Sequence, residues 1–384
     1  MIDIRSLSKD ELLTACEAMG EKKFRANQLW EWLWQKSARS FDEMTNLSLD
    51  FRAKLNESYA ILAMTIANSQ KSTDGTIKYA FRLNDGFLVE GVLIPTSERV
   101  TACISSQVGC SLSCTFCATG FMKRERNLRA DEMYDQVAIL RAEAEKEYGI
   151  NLSNIVLMGM GEPLLNYTNV MSGIERITAT DGLGMSPQRI TLSTAGVAKM
   201  IMKLGDDGAR FNLALSLHSA NNEKRSKIMP INDSNSLEDL IEAINYFYDK
   251  TGTRVTLEYC VINDINDDPF EAEELVSFAR QIKCKINLIE YNPIDLAEFK
   301  SSSAEKIQRF ADYLEKNKVG FALNWQKLQS AFIALFGWTV CVEIAQPWFT
   351  TMRSRQLSDL LGNFLGILVV FVVAEIVKQV RVRR

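Results

Sequence analysis

From about residue 100 to residue 320 short apolar runs alternate with amphipathic stretches, and this alternation restricts the fold more than any other feature. The runs are Asn154-Ile-Val-Leu-Met, Arg189-Ile-Thr-Leu-Ser, Asn212-Leu-Ala-Leu-Ser-Leu, Val255-Thr-Leu-Glu-Tyr and Lys285-Ile-Asn-Leu-Ile. Between them the 3.6-residue period predicts helices over 130–148, 237–250 and 271–281. Strand and helix in strict alternation give parallel neighbours, because a helix supplies the crossover that a parallel pair needs. The class is therefore α/β, most simply a full or partial (β/α) barrel, whose chemistry gathers at the C-terminal strand ends. Polar motifs stand there in phase with the strands: Gly159-Met-Gly-Glu-Pro163, Ser193-Thr-Ala-Gly196, Ser216-Leu-His218 and Asn292-Pro293.

Cys110, Cys114 and Cys117 form a C-x3-C-x2-C loop within residues 108–120. Three thiolates this close can hold three corners of an iron–sulfur cube, leaving one iron open to bind and reduce a ligand. A zinc site is the plainer alternative, but it wants a fourth Cys or His. The sole histidine is His218, and no second C-x2-C occurs.

Upstream, residues 1–65 read as helical. Ser8 or Asp10 caps a first helix, and Phe24, Leu29, Trp30, Leu33 and Trp34 form a core stripe on a second. Lys22, Lys23 and Arg25 at its entrance read as a solvated helix end, with RNA contact the alternative. Residues 76–83 and 87–94 flank Asp85-Gly86 and predict a β-hairpin. Glu90 interrupts its apolar second strand; a buried carboxylate is costly there, which makes it a site candidate.

The 384 residues, 47% hydrophobic and 24% charged, suit a large soluble core. A net charge of −4 gives no global nucleic-acid signal, so RNA contacts would have to be local. Eight cysteines without a basic-then-apolar leader lead us to expect a reducing cytoplasm.

The cysteine loop and Gly159-Met-Gly-Glu-Pro163 resemble radical S-adenosylmethionine (SAM) enzymes. A fuller pattern is similar to the RlmN-type adenine-C2 RNA methyltransferases (RlmN/Cfr family). It comprises Phe24-Arg-Ala-Asn-Gln-Leu-Trp, Phe41-Asp-Glu-Met-Thr-Asn-Leu, Glu90 with Val92-Leu-Ile-Pro95, Cys103-Ile-Ser-Ser-Gln-Val-Gly-Cys110 and Ser216-Leu-His-Ser-Ala220, spanning roughly residues 1–320. The resemblance implies an N-terminal helical RNA-binding domain (1–65), a β-hairpin connector (66–106) and a radical SAM barrel (107–320). Cys110, Cys114 and Cys117 would hold a 4Fe-4S cluster. Gly161, Glu162, Ser193, Ser216, Leu217, His218 and Asn292 would bind SAM. Glu90 matches the proton acceptor and Cys103 the resolving cysteine. In such enzymes one SAM methylates a cysteine, and a second yields a 5′-deoxyadenosyl radical that activates that methyl for attachment to adenine C2. A base then removes the C2 proton, and the resolving thiol frees the product as a disulfide forms. The implied partners are 23S rRNA, tRNA and a flavodoxin- or ferredoxin-type electron donor. The sister chemistry at adenine C8 stays open, since no residue separates the two on physical grounds.

The family's methyl-carrying cysteine lies in a Gly-x-Asp-Ile-x-Ala-Ala-Cys-Gly-type segment that this sequence lacks. Family-like sequence stops near Lys318-Val-Gly320, and Cys341 is the only later thiol, without the expected context. The reading is an insertion or frame disruption, hence an impaired enzyme. The alternative is a cluster- and SAM-binding protein that does not turn over. Residues 331–374 contain two apolar runs, each shorter than a spanning helix wants, which raise a membrane contact as a further expectation for the 321–384 tail.

Overall fold

The computed structural model describes residues 1–323. The expectations about residues 331–374 and Cys341 lie outside that range.

Three helices form the N-terminal region: α1 (Lys9–Ala18), α2 (Phe24–Trp34) and α3 (Leu49–Ser58). Ser8 is the cap of α1; its hydroxyl accepts the Glu11 N–H while the Glu11 carboxylate accepts the Ser8 N–H. On α2 the stripe Leu29, Trp30, Leu33 and Trp34 is buried, but Phe24 is 49% exposed. Phe24 begins the helix, where the apolar face has not yet turned onto the core, and Arg25 covers its ring instead. Arg25 and Lys23 pair with Glu21 and Glu17, as a solvated helix end would.

Besides two short pairs, Ile2–Asp3 with Tyr59–Ala60 and Gln107–Val108 with Arg126–Asn127, the strands of the described residues build one ten-stranded sheet whose spatial order is the chain order. They are β1 (Thr65–Lys71), β2 (Ile77–Arg82), β3 (Leu88–Pro95), β4 (Val100–Cys103), β5 (Leu152–Leu157), β6 (Ile190–Thr194), β7 (Asn212–Ser216), β8 (Val255–Val261), β9 (Cys284–Glu290) and β10 (Phe321–Leu323). β1 to β4 pair antiparallel, and β4 to β10 are parallel. Among the described residues β1 and β10 do not pair, so the sheet stays open as a partial barrel. Helices α4 (Ala130–Tyr148), α5 (Tyr167–Thr178), α6 (Ala198–Asp206), α7 (Asn222–Ile228), α8 (Leu237–Thr251), α9 (Pro269–Ala279) and α10 (Ala304–Lys316) supply the crossovers. The sheet runs past the boundary expected at residue 320, since Phe321 pairs with Ile286. The hairpin extends this same sheet, for β3 and β4 join it to the parallel strands.

Alternation along the strands divides the sheet into two chemistries. Leu192, Leu213, Leu215, Leu257, Ile286 and Leu288 are buried and belong to the main core. Register places Cys103, Val156 and Thr191 side by side on the opposite face, and Ser216, Glu258 and Asn287 form another row on that face. The candidate chemistry occupies this second face and its upper rim.

Candidate active site at the strand ends

The cysteine loop is seated on the strand ends by both backbone and side chains. The Thr115 N–H donates to the Ile228 carbonyl at 3.0 Å, and Leu112, Cys114 and Phe116 pack on Ala195, Ile228 and Met229. Two glycines permit the wrap. A Cβ on Gly120 would stand 2.3 Å from the Cys114 carbonyl oxygen, and one on Gly109 would stand 2.0 Å from that of Lys123. Cys110, Cys114 and Cys117 are free and half-buried. Burial, aided by the neighbouring thiols, pushes Cys114 up to about 12 and raises Cys110. Thiolate is the form that binds a metal, so loading the loop releases protons. Three thiols on one loop, with no fourth Cys or His offered beside them in the motif, are the donor set that a four-iron cube takes at its corners.

Beside the loop, Gly161 has φ 97°, and a Cβ there would lie 2.4 Å from Gln107 Cβ. That close approach lets Gln107 Oε1 accept the Glu162 N–H at 2.9 Å. The Glu162 carboxylate is buried and accepts the N–H groups of Leu164 (3.0 Å) and Ala195 (2.7 Å). Burial raises its pKa even so. Ser193 and Ser216 meet at 3.3 Å across β6 and β7. His218 has φ 55°, and its Nδ1 accepts the Cys260 N–H at 3.0 Å. That bond leaves the ring proton on Nε2, and burial holds the imidazole neutral, with a pKa down to about 3. The ring stands edge-on to Phe116 of the cysteine loop, centroids 4.8 Å apart. Leu217 has its side chain in the core, so its backbone is what it can offer a ligand. Asn292 is exposed, next to Tyr291, whose hydroxyl donates to the Phe116 carbonyl at 3.3 Å. Every residue expected around SAM thus borders one rim.

Glu90 requires a correction. It is not a buried carboxylate: its side chain is 52% exposed and pairs with Lys78 at 3.1 Å. Strand alternation turns Val89 and Leu93 onto the core and leaves Leu88 and Glu90 outward. Its neighbours still single it out. Cys103 lies directly across from Val92, two positions along the same face, and the Ser105 hydroxyl donates to the Glu90 carbonyl at 2.6 Å. Burial pushes the Cys103 thiol up to about 11, and the Glu90 charge adds to the rise.

Residues 2–61 match the family described as the ribosomal RNA large subunit methyltransferase N-terminal domain, and residues 104–274 match the radical SAM superfamily. The chain is 57% identical over 311 residues to a Cytophaga hutchinsonii protein named "Probable dual-specificity RNA methyltransferase RlmN", covering 81% of this chain and 85% of that one. A Streptococcus agalactiae protein of the same name is 43% identical over 320 residues, covering 82% and 87%. The chain belongs to the RlmN family. A radical SAM methyltransferase structure from Sphaerobacter thermophilus superposes with a TM-score of 0.80 at 37% identity, covering 84% of this chain and 95% of that one. Membership makes the protein an RNA methyltransferase whose cofactors are a 4Fe-4S cluster and SAM.

The RlmN-family site also contains groups that the sequence did not single out. Gln107, quoted only as part of a motif, braces Glu162. Glu258 is 7% exposed on the polar face, with Asn287 Nδ2 donating to it at 2.7 Å. Burial raises it to about 7. A carboxyl whose folded pKa lies above its unfolded value loses stability as pH rises between the two. E258Q should remove a decline of about 3 kcal/mol between pH 4.5 and pH 7. His218 slopes the opposite way, so the check is the difference between wild-type and E258Q urea titrations at each pH. A constant difference would show that Glu258 does not titrate there.

Proposed function

We propose that the family chemistry in this chain is methylation of adenine C2 in 23S rRNA and tRNA. The observation that carries the proposal is one sheet face, turned away from the main core, that holds Glu90, Cys103, Ser216 and Glu258 with the cysteine loop at its rim. Cys110, Cys114 and Cys117 would hold the cluster, which together with SAM supplies a reactive radical when reduced. Glu162, beside the loop and anionic when ionised, would meet the SAM ammonium, with the Gly161 backbone alongside. Ser193, Ser216, His218, the Leu217 backbone and Asn292 would hold the rest of SAM. Neutral His218 can donate only from Nε2, which fits a hydroxyl or ring-nitrogen acceptor. Glu90, open to solvent, would take the C2 proton of a presented adenine, and the adjacent Cys103 thiol would release the product by bonding to the sulfur of a methyl-carrying cysteine as that sulfur's bond to the product carbon breaks. Extruded bases are how folded RNA is commonly read.

We assign residues 1–65 to RNA docking, with the cytoplasm as the site of action and a flavodoxin- or ferredoxin-type protein as electron source. Among the described residues no helix is long and apolar enough to cross a membrane. A methyl-carrying cysteine in its family context is not found in residues 1–384, and we propose that the polypeptide of this sequence binds both cofactors and methylates poorly. The test is anaerobic reconstitution with iron, sulfide, SAM and reductant, followed by assay of 5′-deoxyadenosine and methyladenine on a 23S RNA fragment. Deoxyadenosine without methyladenine is the expected result. Abundant 2-methyladenine would overturn the impairment and make Cys341 the carrier to test, whereas 8-methyladenine would overturn the C2 assignment.

A further inference from the structure

Arg225 is fully buried in α7 beneath the cysteine loop. Its Nε donates to the Leu217 carbonyl (3.1 Å) and its Nη2 to those of Ala195 (2.6 Å) and Ser216 (3.2 Å). Its Nη1 donates to Asn232 Oδ1 at 2.9 Å. All four acceptors are neutral. Among the described residues no carboxylate pairs with this guanidinium, although a buried cation is costly without an anion. Burial pulls it down to about 10, and the Cys114 thiol is the group whose charge acts the other way. Two further contacts place it at the loop: Thr115 bonds Ile228, less than one helical turn after Arg225, and Cys114 packs on Ala195.

We propose that Arg225 is the fixed counter-charge of the cluster site, balancing the three thiolates and favouring the reduced cluster. In the step it acts on, one electron enters from a low-potential donor and no bond is made or broken. The cluster becomes more negative by one charge, and a cation held in a dry, low-dielectric place stabilises that state more than an exposed one would. Arg225 is also a positioning residue. The Ala195 peptide is held from both sides, its carbonyl by Arg225 and its N–H by Glu162, while the Ser216 and Leu217 carbonyls lie under the same fork. The inference needs the cluster but neither RNA nor a methyl carrier, so failure to methylate leaves it untouched.

The experiment is an EPR-monitored reductive titration of the reconstituted full chain without SAM or RNA, with the thermal midpoint of each variant measured in parallel. R225Q removes the charge and should lower the equilibrium constant for one-electron reduction at least tenfold, about 59 mV in midpoint. R225K keeps the charge and should move the midpoint much less while weakening SAM binding, because it cannot reproduce the fork. N232D gives the guanidinium the carboxylate it lacks and should lower the midpoint in the same direction. An unchanged midpoint in folded R225Q overturns the proposal. Should R225Q not fold, an unchanged midpoint in N232D overturns it instead.

Discussion

C114S should leave the protein folded and nearly free of iron. The wild-type chain, reconstituted anaerobically, should carry about four irons per chain, and C114S less than a tenth as many. Cys114 is the most constrained of the three ligands: it packs on Ala195, its carbonyl is closed over by Gly120, and the neighbouring Thr115 N–H is bonded to Ile228. A serine hydroxyl fits the same space but is a hard, barely acidic donor that does not replace thiolate on iron. The measurement is iron and sulfide content beside near-ultraviolet circular dichroism. An iron-replete C114S would mean that the cluster hangs elsewhere; collapse of the dichroism signal would mean the thiol had been structural. Loss of the cluster should also end SAM cleavage, while the helical N-terminal region, far along the chain, keeps its fold.

A second large effect is expected in the N-terminal segment. Arg5 is buried and meets three aspartates: Asp3 at 3.1 Å, Asp131 at 3.3 Å and Asp135 at 2.6 Å. Asp135 also accepts the Met64 N–H and Asp3 that of Leu62, so the network ties residues 2–5 and 62–64 to α4 of the barrel. R5M removes the cation and strands the carboxylates, which should cost about 3–5 kcal/mol and lower the thermal midpoint by about 5 °C. The deficit should shrink on acidification. Burial already raises Asp135 to about 6, and without Arg5 it rises further. A raised carboxyl is destabilising above its folded pKa and harmless below its unfolded one, so R5M should lie closer to wild type at pH 5 than at pH 8. D135N in the R5M background should recover part of the loss. A pH-independent deficit would mean that packing, not charge, dominates.

The sequence disclosed these parts unequally. The five apolar runs became β5 to β9 within a few residues, because each carries β-branched or leucine side chains on the helix-facing side. By contrast β1, Thr65–Lys71, is exposed at every position, so it left no hydrophobic pattern to read. The site motifs were legible because they punctuate strand ends. Glu90 drew notice for a cause the fold removes: an apolar run reads as buried on both faces, whereas Leu88 is 45% exposed in a hairpin with one open side. Arg225 was invisible for the opposite cause. Asn222–Ile228 is as polar as any solvent helix, and only the fold shows that its arginine points inward at three carbonyls.

Strand order equal to chain order has a consequence for synthesis. Each strand from β2 to β10 docks on the strand made just before it, so none waits for a distant partner and the sheet can grow at one edge as the polypeptide leaves the ribosome. Residues 1–64 lie ahead of this growing edge, and Arg5 can find Asp131 and Asp135 only once α4 has emerged. Whatever sequence follows Leu323 is translated after all nine pairings between neighbouring strands have been specified. Among the described strands, then, the order of assembly is already written before the first residue beyond Leu323 is added.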